Sequence, residues 1–173
     1  MIKSARQFFQ SIFLKANKED LKYFEQYLNI KEKALFSQFS GFEKLHAVRT
    51  AKRVKKLVHG RPEIDERKME RAALLHDIGR ISGRITVFDK VWLKLMKHLA
   101  RPVYNKLAEK GRDPGAGSRK LYIHKYHGEV AEEFLRRAGT DDAIIDLIVK
   151  HAQKPRKDDS EELKLLRRAD RTS

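Results

Sequence analysis

The sequence contains no cysteine. Disulfides and thiolate metal ligands are thereby excluded, and any metal site must be assembled from imidazole and carboxylate groups. Long apolar runs are missing too: no stretch approaches the roughly 18 uncharged apolar residues of a membrane-spanning helix. The opening residues MIKSARQFFQSIFLK lack the apolar core and small-residue cleavage site of a secretory leader. These absences lead to the expectation of a cytoplasmic protein. Acidic residues are scarce, 24 against 39 Lys plus Arg, for a net charge of +15. Such an excess points to an anionic partner: nucleotide, nucleic acid or lipid headgroups. Much of it falls on helical patterns, as in RVKK (53–56), RRAG (136–139) and LRRADR (166–171), where basic residues form a solvated face. Few aromatics interleave with them and no nucleic-acid motif is present, so a dedicated nucleic-acid surface is the lesser expectation.

What is present is helical periodicity. Apolar residues recur at helical intervals almost throughout, and no sustained period-two alternation argues for a sheet. The 173 residues suit one domain with its own core. The expected fold is all-α, a compact bundle of about six to eight helices. Ser40 followed by Glu43 predicts a capping box, and Ala47, Ala51, Val54 and Val58 form the stripe of a helix over 41–59 that stops before Gly60. Past Pro62, Asp65 is placed to cap the next helix and Ile64 to staple against Met69; this helix is expected to end at Gly79 as a left-handed stop. Residues 86–110 form a long apolar and basic pattern with Pro102 as a kink or break, and GRDPGAGS at 111–118 reads as a flexible loop. Three more helices are expected: 124–138, stopped by Gly139; 141–151, capped by Thr140; and 161–171, capped by Ser160. Residues 1–34 read as an amphipathic helical extension with a turn near Asn29, and 35–173 as the domain proper, with 86–118 as a helix and loop insertion.

Four of these helices carry a potential metal ligand on, or bordering, the apolar face. Met69 and Ala72 lead at helical spacing to His76, and Ala73 to Asp77. Ile144, Ile148 and His151 share one stripe, Leu163, Leu166 and Asp170 another, and His127 begins the stripe Val130, Ala131, Phe134 and Ala138. A carboxylate facing a core costs several kcal/mol unless it is paired or coordinated. Taken singly, His127 and His151 read more simply as satisfied core histidines, and a His-Asp dipeptide arises often by chance. Several such groups, on helices that share one core, are best explained as converging on a common positive charge.

The string AALLHDIGR at 72–80 resembles the signature of the HD superfamily of metal-dependent phosphohydrolases. That family's pattern is an early His, a His-Asp pair on the next helix and a late Asp. LHAVRTAKRV supplies His46, the string itself His76 and Asp77, and LLRRAD supplies Asp170, in matching order and interval. HGEVAEEFLRRAG (127–139) and DLIVKHAQ (146–153) are similar to the segments that carry middle histidines in many members, here His127 and His151. Arg80 stands where a lysine commonly follows HDIG, Gly128 where a proline is common, and Ala152 where many members have a second adjacent histidine. The Gly-Tyr-Pro motif of the cyclic-di-GMP phosphodiesterase subgroup is missing, so that substrate is not carried over.

The resemblance implies a divalent ion held by His46, His76, Asp77 and Asp170. Manganese, iron, magnesium, cobalt and nickel are all compatible with such ligands. It also implies hydrolysis of a phosphoester or phosphoanhydride in a phosphorylated small molecule, a nucleotide first of all, with Asp77 orienting the attacking water. His127 and His151 would bind a second ion, or else serve phosphate or the leaving oxygen; Ala152 tilts the expectation toward one ion per chain rather than two. Arg49 and Arg80, each one turn beyond a ligand histidine, are candidates to neutralise phosphate, although each also reads as a solvated helix arginine. His59, His98 and His124 have no comparable motif support, though His124 lies three residues before His127. Two rival readings are a non-catalytic module that senses a nucleotide and a basic adaptor on nucleic acid or a membrane surface. Residues 86–110 bear on the second: Phe88 and Trp92 among Lys90, Lys94, Lys97, Arg101 and Lys106 resemble an interfacial membrane helix, with a cap over the site or a dimer face as the plainer reading.

Overall fold

Capping chemistry sets where the helices begin. In the computed structural model, which describes residues 22–83 and 85–173, Asn29 opens α1 (Ile30–Ser37) and Ser40 opens α2 (Gly41–Val58), each through a capping box with the glutamate three residues on. Asp65 caps α3 (Glu66–Leu75), and Thr86 caps α4 (Val87–Leu99) in a box with Asp89. Helices α5 (Arg101–Lys110), α6 (Arg119–Ala138), α7 (Asp142–His151) and α8 (Glu161–Arg171) follow. Among the described residues the fold is thus all-α, with eight helices and no strand. Of the amphipathic helical extension expected over residues 1–34, residues 1–21 lie outside the described residues.

Several local expectations shift. The break in the 86–110 pattern falls at Ala100 (φ −131°, ψ 49°), which puts Pro102 in the first turn of α5, where its missing N–H is no loss. The cap of α7 is Asp141, whose side chain accepts from the Ala143 N–H at 2.8 Å; Thr140 instead donates its hydroxyl to Glu32 Oε1 at 2.6 Å. Glu32 is fully buried and also takes Arg71 in a two-pronged contact, so one carboxylate ties α1 to α3 and to the α6–α7 turn.

Helix α6 starts at Arg119 rather than near 124, and it is kinked at Tyr126 (φ −118°, ψ 24°). The kink divides two cores. Before it, Leu121 and Ile123 join Ile85, Leu93, Tyr104 and Ala108 in a small cluster that seats α4 and α5 on α6. After it, Ala131 and Leu135 enter the main core with α2, α3, α7 and α8, to which Leu28, Phe36 and Phe39 also belong. His127 is the first residue past the kink.

The third helix stops sooner than its sequence pattern suggests. It ends at Leu75, His76 is its C-cap, and Ile78–Gly83 wind on as a 3-10 segment. Gly79 is not a left-handed stop; among the described residues the glycines with positive φ are Gly60 and Gly139. Its role is close approach. A Cβ on Gly79 would stand 1.9 Å from the His127 carbonyl oxygen and 2.8 Å from the Ala131 nitrogen. The absence of a side chain lets the segment after Asp77 press directly on the α6 backbone.

Candidate metal centre

Two helix ends and the kink of α6 use one device to aim an imidazole. His76 Nδ1 lies 2.8 Å from the Ala73 carbonyl oxygen, His127 Nδ1 lies 3.3 Å from the His124 carbonyl oxygen, and His151 Nδ1 approaches the Ile148 carbonyl oxygen. A carbonyl can only accept, so in each ring Nδ1 carries the hydrogen, and Nε2 is the nitrogen that presents a lone pair when the ring is neutral. This is the arrangement in which a second partner orients a ligand histidine. The rings converge: His76 lies 5.2 Å from His46 and 5.1 Å from His151 between centroids, and His127 lies 5.3 Å from His151.

Two overlapping groups of ligand atoms result. His46, His76 and Asp77 form one, Asp77, His127 and His151 the other, the atoms within each group lying within 4.8 Å of one another. Asp170 adjoins the first, its Oδ1 3.1 Å from His46 Nε2 and 3.5 Å from His76 Nε2. His76, Asp77, His127 and His151 are buried, whereas the Asp170 side chain is 36% exposed. The cluster therefore opens to solvent on the His46–Asp170 side.

Its electrostatics call for a cation. Burial should lower the His76 pKa, yet the Asp77 and Asp170 carboxylates overcome it and raise it to about 9. Burial likewise opposes ionisation of Asp77, but Arg80 and His76 hold it well below the usual carboxylate range; Asp170 is held there against its burial by His46 and His76. His127 stays neutral through burial and the Arg80 charge, and burial and His76 bring His151 down to about 4. His76 Nε2 and Asp77 Oδ1 are buried with no hydrogen-bond partner. Buried polar atoms are rarely left so, and lone pairs turned on a shared centre fit a divalent ion with nitrogen and oxygen ligands.

Of the two arginines read from the sequence, Arg80 enters the cluster. Its Nε lies 2.9 Å from Asp77 Oδ1, as an ion pair without hydrogen-bond alignment, and its Nη2 lies 3.5 Å from His127 Nε2. Arg49 is half-buried on α2 and makes no hydrogen bond or ion pair with a described residue. Two further groups border the site without a strong sequence signal. His124 shares a 2.7 Å hydrogen bond with Tyr104 Oη, and burial with the nearby Arg80 brings it down to about 4. Lys90 adds positive potential at Asp77 and pairs with Glu43 at 3.3 Å, linking α4 to α2. Only the three-residue spacing of His124 to His127 hinted at the first, and nothing local marks Lys90 among the other lysines of α4.

These shifts give the metal-free protein a defined pH profile. His124 and His151 remain neutral in the fold down to about pH 4 but protonate near 6.5 when unfolded, so their contribution to stability is lost as pH falls through that window. His76 acts in the opposite sense: raised to about 9, it contributes stability that is present below pH 6.5 and lost as pH rises toward 9. The Tm of chelator-treated protein is expected to peak near pH 6.5. A Tm that climbs steadily on acidification toward about pH 5 would contradict the burial of neutral imidazoles.

No curated protein and no solved structure matches the chain. The family model of the HD domain matches residues 45–173, a span that runs from the residue before His46 to beyond Asp170 and takes in the whole cluster. The chain belongs to the HD domain family, a superfamily of metal-dependent phosphohydrolases.

Proposed function

We propose that the protein hydrolyses a phosphoester or phosphoanhydride of a small molecule, with nucleotides as the first class to test, at one divalent ion held by His46, His76, Asp77 and Asp170. The observation that carries this reading is the pair of buried side-chain atoms that make no hydrogen bond, His76 Nε2 and Asp77 Oδ1, beside the His46 and Asp170 side chains and an open face. When bound, the ion would polarise a phosphoryl oxygen and lower the pKa of a water. The chain's own groups do the rest. Asp77, ionised and buried, is placed to accept a hydrogen bond from the attacking water and hold it in line. Arg80 offers its fork to the phosphoryl oxygens, and His127 Nε2 is an acceptor that positions the guanidinium. His127 and His151 turn N–H groups to backbone carbonyls and lone pairs inward, which suits them to accept protons rather than to donate one to a leaving oxygen.

A single ion is favoured because Arg80 already brings positive charge to Asp77 and His127, where the second group of ligands would receive its cation. Metal analysis of purified protein is expected to give about one ion per chain. Replacing both His127 and His151 by Ala should leave that number unchanged while turnover of a nucleotide panel falls by about 10²–10⁴. Arg80→Ala should admit a second ion. Two ions in the wild type, reduced to one in the double variant, would overturn the single-ion reading; metal binding with no turnover of any phosphoester in the panel would overturn the hydrolytic one.

A further inference from the structure

Apolar side chains left outside a core are concentrated in one place. Of the seven large hydrophobic residues that stand exposed among the described residues, six lie on α4 and α5: Phe88, Val91, Trp92, Leu95, Leu99 and Val103. Phe88, Val91, Trp92, Leu95 and Leu99 follow helical spacing and form one ridge, with Phe88 86%, Trp92 56% and Leu99 73% exposed. The helix beneath it is firmly seated. Leu93 is buried on the opposite side in the small cluster with Tyr104 and Ile123, Asp89 pairs with Lys120 at 2.8 Å, and Lys90 pairs with Glu43. The fold therefore anchors α4 by one face and displays the other.

The unpaired charges of the same two helices are of one sign. Lys94, Arg101 and Lys106 are exposed, and none is ion-paired with a described residue. The acidic residues of the same two helices are already engaged: Asp89 with Lys120, and Glu109 with Lys125 and Tyr126. An apolar ridge that carries Trp and Phe, on a pair of helices whose exposed cations are not ion-paired with a described residue, complements an anionic bilayer, where rings and alkyl chains enter the interface and cations meet headgroup phosphates. A second copy of the chain fits less well, since apposing two ridges would set these cations against their own images on a molecule of net charge +15.

We propose that the α4–α5 ridge is a docking surface for anionic lipid bilayers, a peripheral attachment made by a chain in whose described residues no helix is long and apolar enough to cross a membrane. The attachment is independent of the hydrolytic reading of the metal centre. Trp92 is the only tryptophan, so intrinsic emission reports on the ridge alone. With full-length protein, vesicles of phosphatidylcholine mixed with phosphatidylglycerol are expected to shift Trp92 emission to the blue and to co-sediment the chain; phosphatidylcholine alone should do neither. Lys94→Glu and Arg101→Glu should each weaken partitioning at least about fivefold. Phe88→Ser with Leu95→Ser should weaken it more than about tenfold. These side chains are exposed, so Tm and metal content should stay at wild-type values. Absence of binding to phosphatidylglycerol vesicles would overturn the proposal. So would binding that both sets of variants leave intact, which would mark diffuse attraction by the net charge. A Trp92 already blue-shifted without lipid, in protein that self-associates as its concentration rises, would assign the ridge to a second copy instead.

Discussion

Asp77→Asn is expected to abolish retention of the metal and, with it, hydrolysis. The substitution keeps the size of the side chain but removes the charge on which both ligand groups depend, since Asp77 is the residue they share. The rate should fall by at least about 10⁴, the upper end for a lost acid–base group, because the ion is lost as well. His76→Ala should have the same outcome, since it removes the Nε2 that faces both Asp77 and Asp170. A thermal readout separates loss of the site from loss of the fold. In the wild type, metal at about a hundredfold excess over Kd adds about 2.7 kcal/mol to stability, or several degrees of Tm. Both variants should melt cooperatively yet gain nothing from metal. Wild-type metal content in both would remove the assignment of the site.

Gly79→Ala is expected to be the most damaging of the Gly→Ala substitutions. Its Cβ would meet backbone atoms of α6, the His127 carbonyl oxygen at 1.9 Å and the Ala131 nitrogen at 2.8 Å, and a backbone inside a packed helix cannot rotate aside as a side chain can. Relief requires the 3-10 segment to lift off α6, which moves Arg80 away from His127 and disturbs Asp77 two residues upstream. Overpacking of this kind costs about 3 kcal/mol, the top of the usual range, and about 10 °C in Tm for a chain of this size. Activity should fall along with stability. Gly117→Ala, where an added Cβ meets nothing within 4 Å, is the control and should leave Tm unchanged. Equal Tm values for the two variants would mean that the α6 contact is looser than the structure has it.

What can be read from the sequence and what cannot divide along the range of the forces involved. Capping boxes at Ser40–Glu43, the Asp65 cap and the Ser160 cap are contacts within one turn of chain, and each was legible because its partners are neighbours. The all-α class followed from helical periodicity, and the convergence of His76, Asp77, His127 and His151 from their places on apolar stripes. The Thr140 cap failed for the complementary reason: its hydroxyl is claimed by Glu32, more than a hundred residues away, and Asp141 takes over the local task. Gly79 was legible as a special position but not for its purpose, because crowding against α6 is a contact between distant segments.

The sequence by itself determined the helical class, most helix starts and a set of candidate nitrogen and oxygen ligands in family order, since propensity, capping and periodicity are local and each residue type carries its own chemistry. Only the tertiary structure decided that Arg80 enters the ligand cluster while Arg49 stands apart, and that a kink at Tyr126 parts two cores just before His127. It also decided that the apolar residues of 86–110 split, Leu93 turning inward and Phe88, Trp92 and Leu99 outward. A helix that is apolar on more than one side does not announce which side will find a partner. That depends on which surfaces distant elements bring to it, and here the first half of α6 covers one face of α4 while no described element covers the other.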